Sequence, residues 1–212
     1  KPVRILDVLT RHDETFARAD IERALARYFD GPRELRTVFD EVLRSDELVR
    51  IGDKGDRFTT ATLRNAKTSL ERQTSTLAQD AKHFVGRRVV DAAILERSRI
   101  MQASAGASLS AEQEAAVRHV TGAERLSVVV GFAGAGKSTL LAAARSAWGR
   151  EGYRVIGAAL SGKAAAGLED SSGITSRTLA AWEYRWAQDA TSLGPKDVLV
   201  IDEAGMIGTL QL

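Results

Sequence analysis

Apolar positions in the first sixty residues recur at helix-face spacing three times: Ile5, Leu6 and Leu9, then Ile21, Leu25, Tyr28 and Phe29, then Leu35, Val38, Phe39, Val42 and Leu43. After them Leu48-Val49-Arg50-Ile51-Gly52 alternates as a strand, Asp53-Lys54-Gly55-Asp56 supplies turn chemistry, and Arg57-Phe58-Thr59-Thr60 returns as a second strand. Three helices and a hairpin predict a small winged-helix-like α+β domain over residues 1–62. From residue 62 to about 101 the pattern stays helical but is rich in charge and Gln and is interrupted at Gly86. This predicts a solvated helical connector, placed at 63–107, rather than a core. The small polar run Ala103-Ser104-Ala105-Gly106-Ala107-Ser108 closes it.

From Leu109 onward helices alternate with apolar runs. Residues 126–131 (Leu-Ser-Val-Val-Val-Gly) predict a buried strand, 137–148 a helix, 154–160 a second strand and 198–201 a third. Strands apolar throughout and separated by helices indicate a parallel sheet covered on both faces. The fold class for 108–212 is therefore α/β with an open parallel sheet.

Composition changes this picture little. The chain has 212 residues, and its 44% hydrophobic and 27% charged content leaves enough apolar surface for folded cores. Thirty basic and 28 acidic residues give a net charge of +2, too small a field to argue for nucleic acid, so any DNA contact has to be local. The absence of Cys excludes disulfides and thiolate metal sites within these residues. His12, His83 and His119 show no ligand spacing. No apolar run reaches the roughly 18 residues of a membrane span, and the start lacks a signal-peptide pattern, so a cytoplasmic location is expected.

The chemistry lies in two places. Gly131-Phe132-Ala133-Gly134-Ala135-Gly136-Lys137-Ser138 matches G-x-x-x-x-G-K-[ST] between a predicted strand and a predicted helix. Glycines there let successive N–H groups turn toward phosphate oxygens, and the helix adds the positive end of its dipole. Lys137 would place a charge at the β and γ phosphates of ATP, and Ser138 a hydroxyl on Mg²⁺, with Thr139 beside them at the helix start. Sixty-odd residues later, Asp202 and Glu203 stand at the carboxyl end of an apolar strand, the edge where open α/β sheets bind ligands. Asp202 is the candidate for the Mg²⁺ shell and Glu203 for the base that polarises an attacking water. Asp202 to Gly205 also fits D-x-x-G of guanine-nucleotide enzymes, but no N-K-x-D motif accompanies it.

Together these residues resemble superfamily 1 DNA helicases, and more specifically the helicase part of TraA-type conjugative relaxases from plasmids. Leu109-Ser110-Ala111-Glu112-Gln113-Glu114-Ala115-Ala116-Val117 is similar to that family's lead-in, whose Gln reads the adenine edge, a role that falls to Gln113. Ala159-Leu160-Ser161-Gly162-Lys163-Ala164-Ala165 resembles an A-P-T-G-x-A-A element that contacts single-stranded DNA, departing from it at Leu160 and Ser161. Residues 175–182 stand where such helicases carry a T-I-H-like DNA contact, with Thr178 kept and Ala180 in place of His. Trp182 and Trp186, four apart on one helical face, are expected to pack in a core.

The resemblance implies a RecA-like first motor domain, C-terminally incomplete, in an ATP-driven motor on single-stranded DNA moving 5′ to 3′. A nicking domain would precede Lys1, and a second RecA-like domain with its arginine finger would follow Leu212. In that family a strand from beyond the acidic pair inserts between the phosphate-loop strand and the Asp202 strand, so a gap in the sheet is expected and the segment alone should be inactive or very weak. Two other readings stay open: a P-loop ATPase of another class, and a winged helix whose function is DNA or partner binding. For the latter, the third helix is mixed, Arg33, Arg36 and Arg44 standing among Glu34, Asp40, Glu41, Asp46 and Glu47. Lys54 and Arg57 would stand nearest a strand fork.

Overall fold

The structure, a computed structural model, describes residues 3–10, 13–52, 56–81, 83–132, 134–188 and 193–210. The chain divides into two compact units, Lys1–Gln73 with Gly208–Leu212, and Thr74–Ile207.

The first unit follows the predicted grammar closely. Helices α1 (Val3–Thr10), α2 (Arg18–Leu25) and α3 (Pro32–Leu43) precede strands β2 (Leu48–Ile51) and β3 (Arg57–Thr60). A short strand missed by the periodicity, β1 (Phe16–Ala17), pairs antiparallel with β3, giving the order β1-β3-β2. Two residues are too few to show an alternation. α3 starts where Pro32 follows Gly31, since a first-turn proline sacrifices no helical hydrogen bond. α2 is held at its start by Asp20, whose carboxylate accepts the Ala17 N–H at 2.9 Å. Ile5, Leu6, Phe16, Ile21, Leu25, Phe39, Val42 and Phe58 form the core. Tyr28 departs from expectation: α2 stops at Leu25, and the side chain is 67% exposed in the turn that follows. The expected turn at 53–56 lies, apart from Asp56, outside the described residues, Lys54 among them.

Two long helices come next, α4 (Ala61–Gln79) and α5 (Arg87–Ala105). α5 corrects the expectation of a solvated connector. It buries Val90, Ala93 and Ile94 against the helices of the second unit, a stripe at helical spacing that the surrounding charges hid.

The second unit continues with α6 (Ala111–Val120), α7 (Lys137–Arg150), β4 (Arg154–Ala159), α8 (Gly162–Ser172), β5 (Ser176–Thr178), α9 (Leu179–Ala187) and β6 (Asp197–Ile201). The sheet is parallel in the order β5-β4-β6. Both faces are covered, as the apolar strands predict. Val155, Val198 and Val200 pack toward α7, whereas Ile156, Ala158, Leu199 and Ile201 pack with Leu179, Trp182 and Trp186. The two tryptophans are core residues. Their rings stack 6.1 Å apart, and Trp182 Nε1 donates to the Gly157 carbonyl at 2.8 Å. β5, three residues long, was not predicted.

The strand expected at 126–131 does not form. Among the described residues neither this segment nor the outer edge of β6 has a ladder partner. The segment packs Val129 into the core but leaves Val128 and Val130 67% and 94% exposed, so its apolar residues point both ways while only one side is covered. Apolar content makes a strand only where a neighbour supplies the hydrogen bonds.

At the amino end of the sheet Arg154 and Asp197, opposite each other in the β4–β6 register, form a fork of two bonds at 2.6 Å each. The Arg154 hydrogen bonds hold the Asp197 carboxyl below the usual carboxylate range, with further help from the Gly194 N–H. A depressed carboxylate stabilises the fold above the unfolded value of about 3.9, and that contribution fades as pH falls through the folded value. An NMR titration should find Asp197 below the usual range in the native chain and shifted upward in Arg154→Ala. In the first unit, Leu6→Ala should cost about 2–5 kcal/mol in chemical denaturation because Leu6 is fully buried. Tyr28→Ala should stay within about 0.5 kcal/mol.

Candidate functional site

The segment leading to the phosphate loop is organised by a helix cap. Ser110 precedes α6, its Oγ accepting the Gln113 N–H at 3.2 Å while Gln113 Oε1 accepts the Ser110 N–H at 3.0 Å. This is a reciprocal capping box of the form S-x-x-Q. The other half of the amide reaches out of the helix, and Gln113 Nε2 donates to the Ala135 carbonyl at 3.1 Å.

Gly134 to Gly136 lead through a turn into α7. Gly134 and Gly136 have φ of +79° and +75°, backbone that side-chain-bearing residues rarely adopt. The Ala135 N–H donates to the Phe132 carbonyl at 3.2 Å, and the Thr139 and Leu140 N–H groups donate to the Gly136 carbonyl to open the helix. Lys137 folds back over the loop, its Nζ donating to the carbonyls of Gly131 at 2.8 Å and Phe132 at 3.1 Å. The ammonium thus stands over the loop it follows. Ser138 and Thr139 are half-buried in the first turn of α7. Ala133 lies outside the described residues.

The direction of α7 sets the loop's place on the sheet. Arg145, Ser146, Gly149 and Arg150 from its last turns share a cavity with Tyr153 and Val155 at the amino end of β4. Fourteen helical residues rise about 21 Å and six strand residues about 20 Å. A helix of this length running back along β4 has the reach to bring its first turn to the carboxyl edge of the sheet. At that edge the Asp202 N–H donates to the Ala158 carbonyl at 2.9 Å, and Asp202 Oδ1 accepts the Glu203 N–H at 3.0 Å. Glu203 has φ +54° and ψ +35°, and no other non-glycine described residue has positive φ. Its side chain is exposed. A left-handed backbone at a glutamate is costly, by about 1–3 kcal/mol, and nothing in the sequence pattern announced it.

The same edge carries the other predicted residues. Ala159 and Thr178 are register partners at the ends of β4 and β5. Ser161 caps α8, accepting the Ala164 N–H at 3.1 Å, and Thr178 caps α9, accepting the Ala181 N–H at 3.2 Å. Gly162 and Lys163 open α8, with exposed side positions. Two helix N-termini thus flank these residues.

The hard oxygen donors here, one hydroxyl and one carboxylate, fit Mg²⁺, which takes few protein ligands and leaves the remainder to phosphates and water. No group of three or more His, Cys, Asp or Glu able to hold a metal occurs among the described residues, so a metal caged by protein alone is not provided for there.

The family model described as AAA domain matches residues 108–212. The whole chain aligns with the probable conjugal transfer protein TraA of Sinorhizobium fredii at 39% identity over 222 residues, covering 19% of that protein. It aligns equally completely with the conjugal transfer proteins TraA of Rhizobium radiobacter and Agrobacterium fabrum, each at 36% identity and 19% coverage. Over its whole length the chain is thus similar to a segment of these conjugal transfer proteins TraA. It spans about a fifth of the length of these TraA relatives, and its AAA domain contains the loop, α7 and the acidic pair together. No helix among the described residues is long and apolar enough to cross a membrane.

What the spacing of residues did not reveal is the contact of Gln113 with the loop. The Ser110-x-x-Gln113 cap was legible as a sequence pattern, but its far partner, 22 residues on, was not. Gly136→Ala should lower stability by about 1 kcal/mol or more in thermal or chemical unfolding, since it forces a Cβ into the left-handed region and against Gln113 Nε2. Gly134→Ala carries the backbone penalty alone, nothing lying within 4 Å of its added carbon, and should cost less.

Proposed function

We propose that residues 108–212 are the nucleotide-binding part of a RecA-like motor domain that hydrolyses ATP with Mg²⁺ to drive movement along single-stranded DNA in conjugative transfer. The observation that carries this reading is the glycine-rich loop that opens α7, with Lys137 folded over it, in a chain whose parallel strand β6 runs straight into Asp202 and Glu203. In it, Lys137 and the loop N–H groups bind the β and γ phosphates, Ser138 and Asp202 hold Mg²⁺, and Glu203 accepts a proton from the attacking water. Mg²⁺ bound there would supply charge neutralisation between the phosphates.

The exposed Lys163 and the caps of α8 and α9 support a strand-contacting role at Ser161, Gly162, Lys163 and Thr178. A hydroxyl that accepts a cap bond keeps its own O–H to donate to a phosphate, and helix N-termini favour anions. Polarity of 5′ to 3′, a nicking domain before this segment and a second RecA-like domain after it are proposed from the family resemblance. The winged-helix-like domain at 1–62 is proposed from its own pattern of helices and hairpin, and of the connector expected at 63–107 only α4 remains, since α5 packs into the core of the second unit. For the first unit a contact role at a DNA fork is proposed, with Arg57 at the start of β3, where its guanidinium donates to Thr15.

The test uses the full-length parent protein. Its ATPase rate should rise with added single-stranded DNA, and Lys137→Ala should abolish turnover without unfolding the protein. Glu203→Gln should keep Mg-ATP affinity while lowering hydrolysis by at least about 10²-fold. DNA-independent turnover would favour a P-loop ATPase of another class. Affinity lost in Glu203→Gln with turnover per bound ATP retained would remove Glu203 from the role of base.

A further inference from the structure

Every peptide in the phosphate loop has to be turned one way or the other, because in a trans peptide the C=O and the following N–H point in opposite directions. A loop that offers N–H groups to an anion needs something to take its carbonyls on the other side. In the free protein Lys137 holds the carbonyls of Gly131 and Phe132, partners it can exchange for phosphate oxygens. The Ala135 carbonyl is held by Gln113 Nε2 at 3.1 Å, from a helix that is itself anchored by the Ser110–Gln113 cap. A backbone N–H can only donate and a carbonyl can only accept, so the amide of Gln113 has one orientation that satisfies both partners. Gly136 completes the fit: a side chain there would occupy the place of Gln113 Nε2.

From this we infer that Gln113 is a positioning residue for the phosphate loop, turning the Gly136 N–H outward by holding the Ala135 carbonyl toward α6. It acts on the triphosphate whatever base is attached, in addition to any contact with adenine; its amide retains one N–H and one lone pair for that. The inference rests on the nucleotide reading above for its ligand, but the geometry of the loop is a property of the free protein.

Two measurements on the full-length parent protein test it, one without ligand. Hydrogen exchange at the Ala135 amide, which donates to the Phe132 carbonyl, should be about fivefold faster in Gln113→Ala, the factor one net hydrogen bond is typically worth. Gln113→Glu retains the S-x-x-E capping box but loses the donor to Ala135, so it should show the same acceleration with α6 intact. Ser110→Ala removes the cap hydroxyl and keeps the Gln113 amide, and it should affect the loop less than either. Equal acceleration in Ser110→Ala and Gln113→Ala would make the effect one of helix initiation and overturn the inference, as would unchanged exchange in both Gln113 variants.

Calorimetric binding of Mg-ATP, Mg-GTP and inorganic tripolyphosphate then reads the consequence. Gln113→Ala should weaken all three by a similar factor, about fivefold. A loss confined to Mg-ATP identifies a base reader and overturns the positioning role. A native parent protein that binds none of the three would sink the nucleotide reading, and the exchange comparison would still decide whether Gln113 holds the loop.

Discussion

Everything at the carboxyl edge depends on the parallel ladder through β4. This strand pairs with β5 on one side and β6 on the other, and its residues alternate between two covered faces. Parallel strands can share a sheet only through crossovers, so each strand end at this edge leads into a helix or turn that starts there. Three of those starts carry the residues singled out for chemistry: Ser161 after β4, Thr178 at the end of β5 and Asp202 after β6. Gly157 at the centre of β4 shows how closely the parts are fitted. A side chain there would meet Ser176 of β5 and Leu168 of α8, while its carbonyl takes the indole N–H of Trp182.

The candidate site is held by polar contacts of a particular kind, caps and loop carbonyls, rather than by a buried charge network. Ser110, Ser161 and Thr178 each satisfy backbone donors at the start of a helix, and Lys137 and Gln113 satisfy carbonyls of the phosphate loop. Exposed donors that fold onto the chain's own carbonyls can exchange those partners for phosphate oxygens at little net cost, since both are hydrogen-bond acceptors. Lys137 is in that position. The strained backbone of Glu203 is different, because its left-handed conformation is sustained only by its surroundings, the Asp202 carboxylate bonding its N–H and the Met206 N–H bonding its carbonyl.

The segment 126–130 and the free edge of β6 show the limit of apolar pattern as a guide to sheets. A helix carries its hydrogen-bond partners within itself, so α7 formed where its sequence predicted. A strand borrows them from a neighbour, and Val128 to Val130, as β-prone as any run in the chain, forms no ladder among the described residues. The same reasoning covers β5, whose three residues became a strand because β4 lay beside them.

The sequence by itself determined what depends on short-range rules and fixed spacing: the glycine and lysine pattern of residues 131–138, the helix that follows it, the covering of 198–201 on both faces and the three helices with a hairpin near the start. Tertiary structure decided which distant groups meet. It brought the Gln113 amide to the Ala135 carbonyl, drew α5 into the core of the second unit by one stripe of Val90, Ala93 and Ile94, added β1 and β5 and left 126–130 unpaired. The physical reason is one of range. Capping, turn conformation and helical periodicity are satisfied within a few residues, whereas ladder pairing and a single side-chain hydrogen bond across 22 residues depend on where the rest of the chain has already packed.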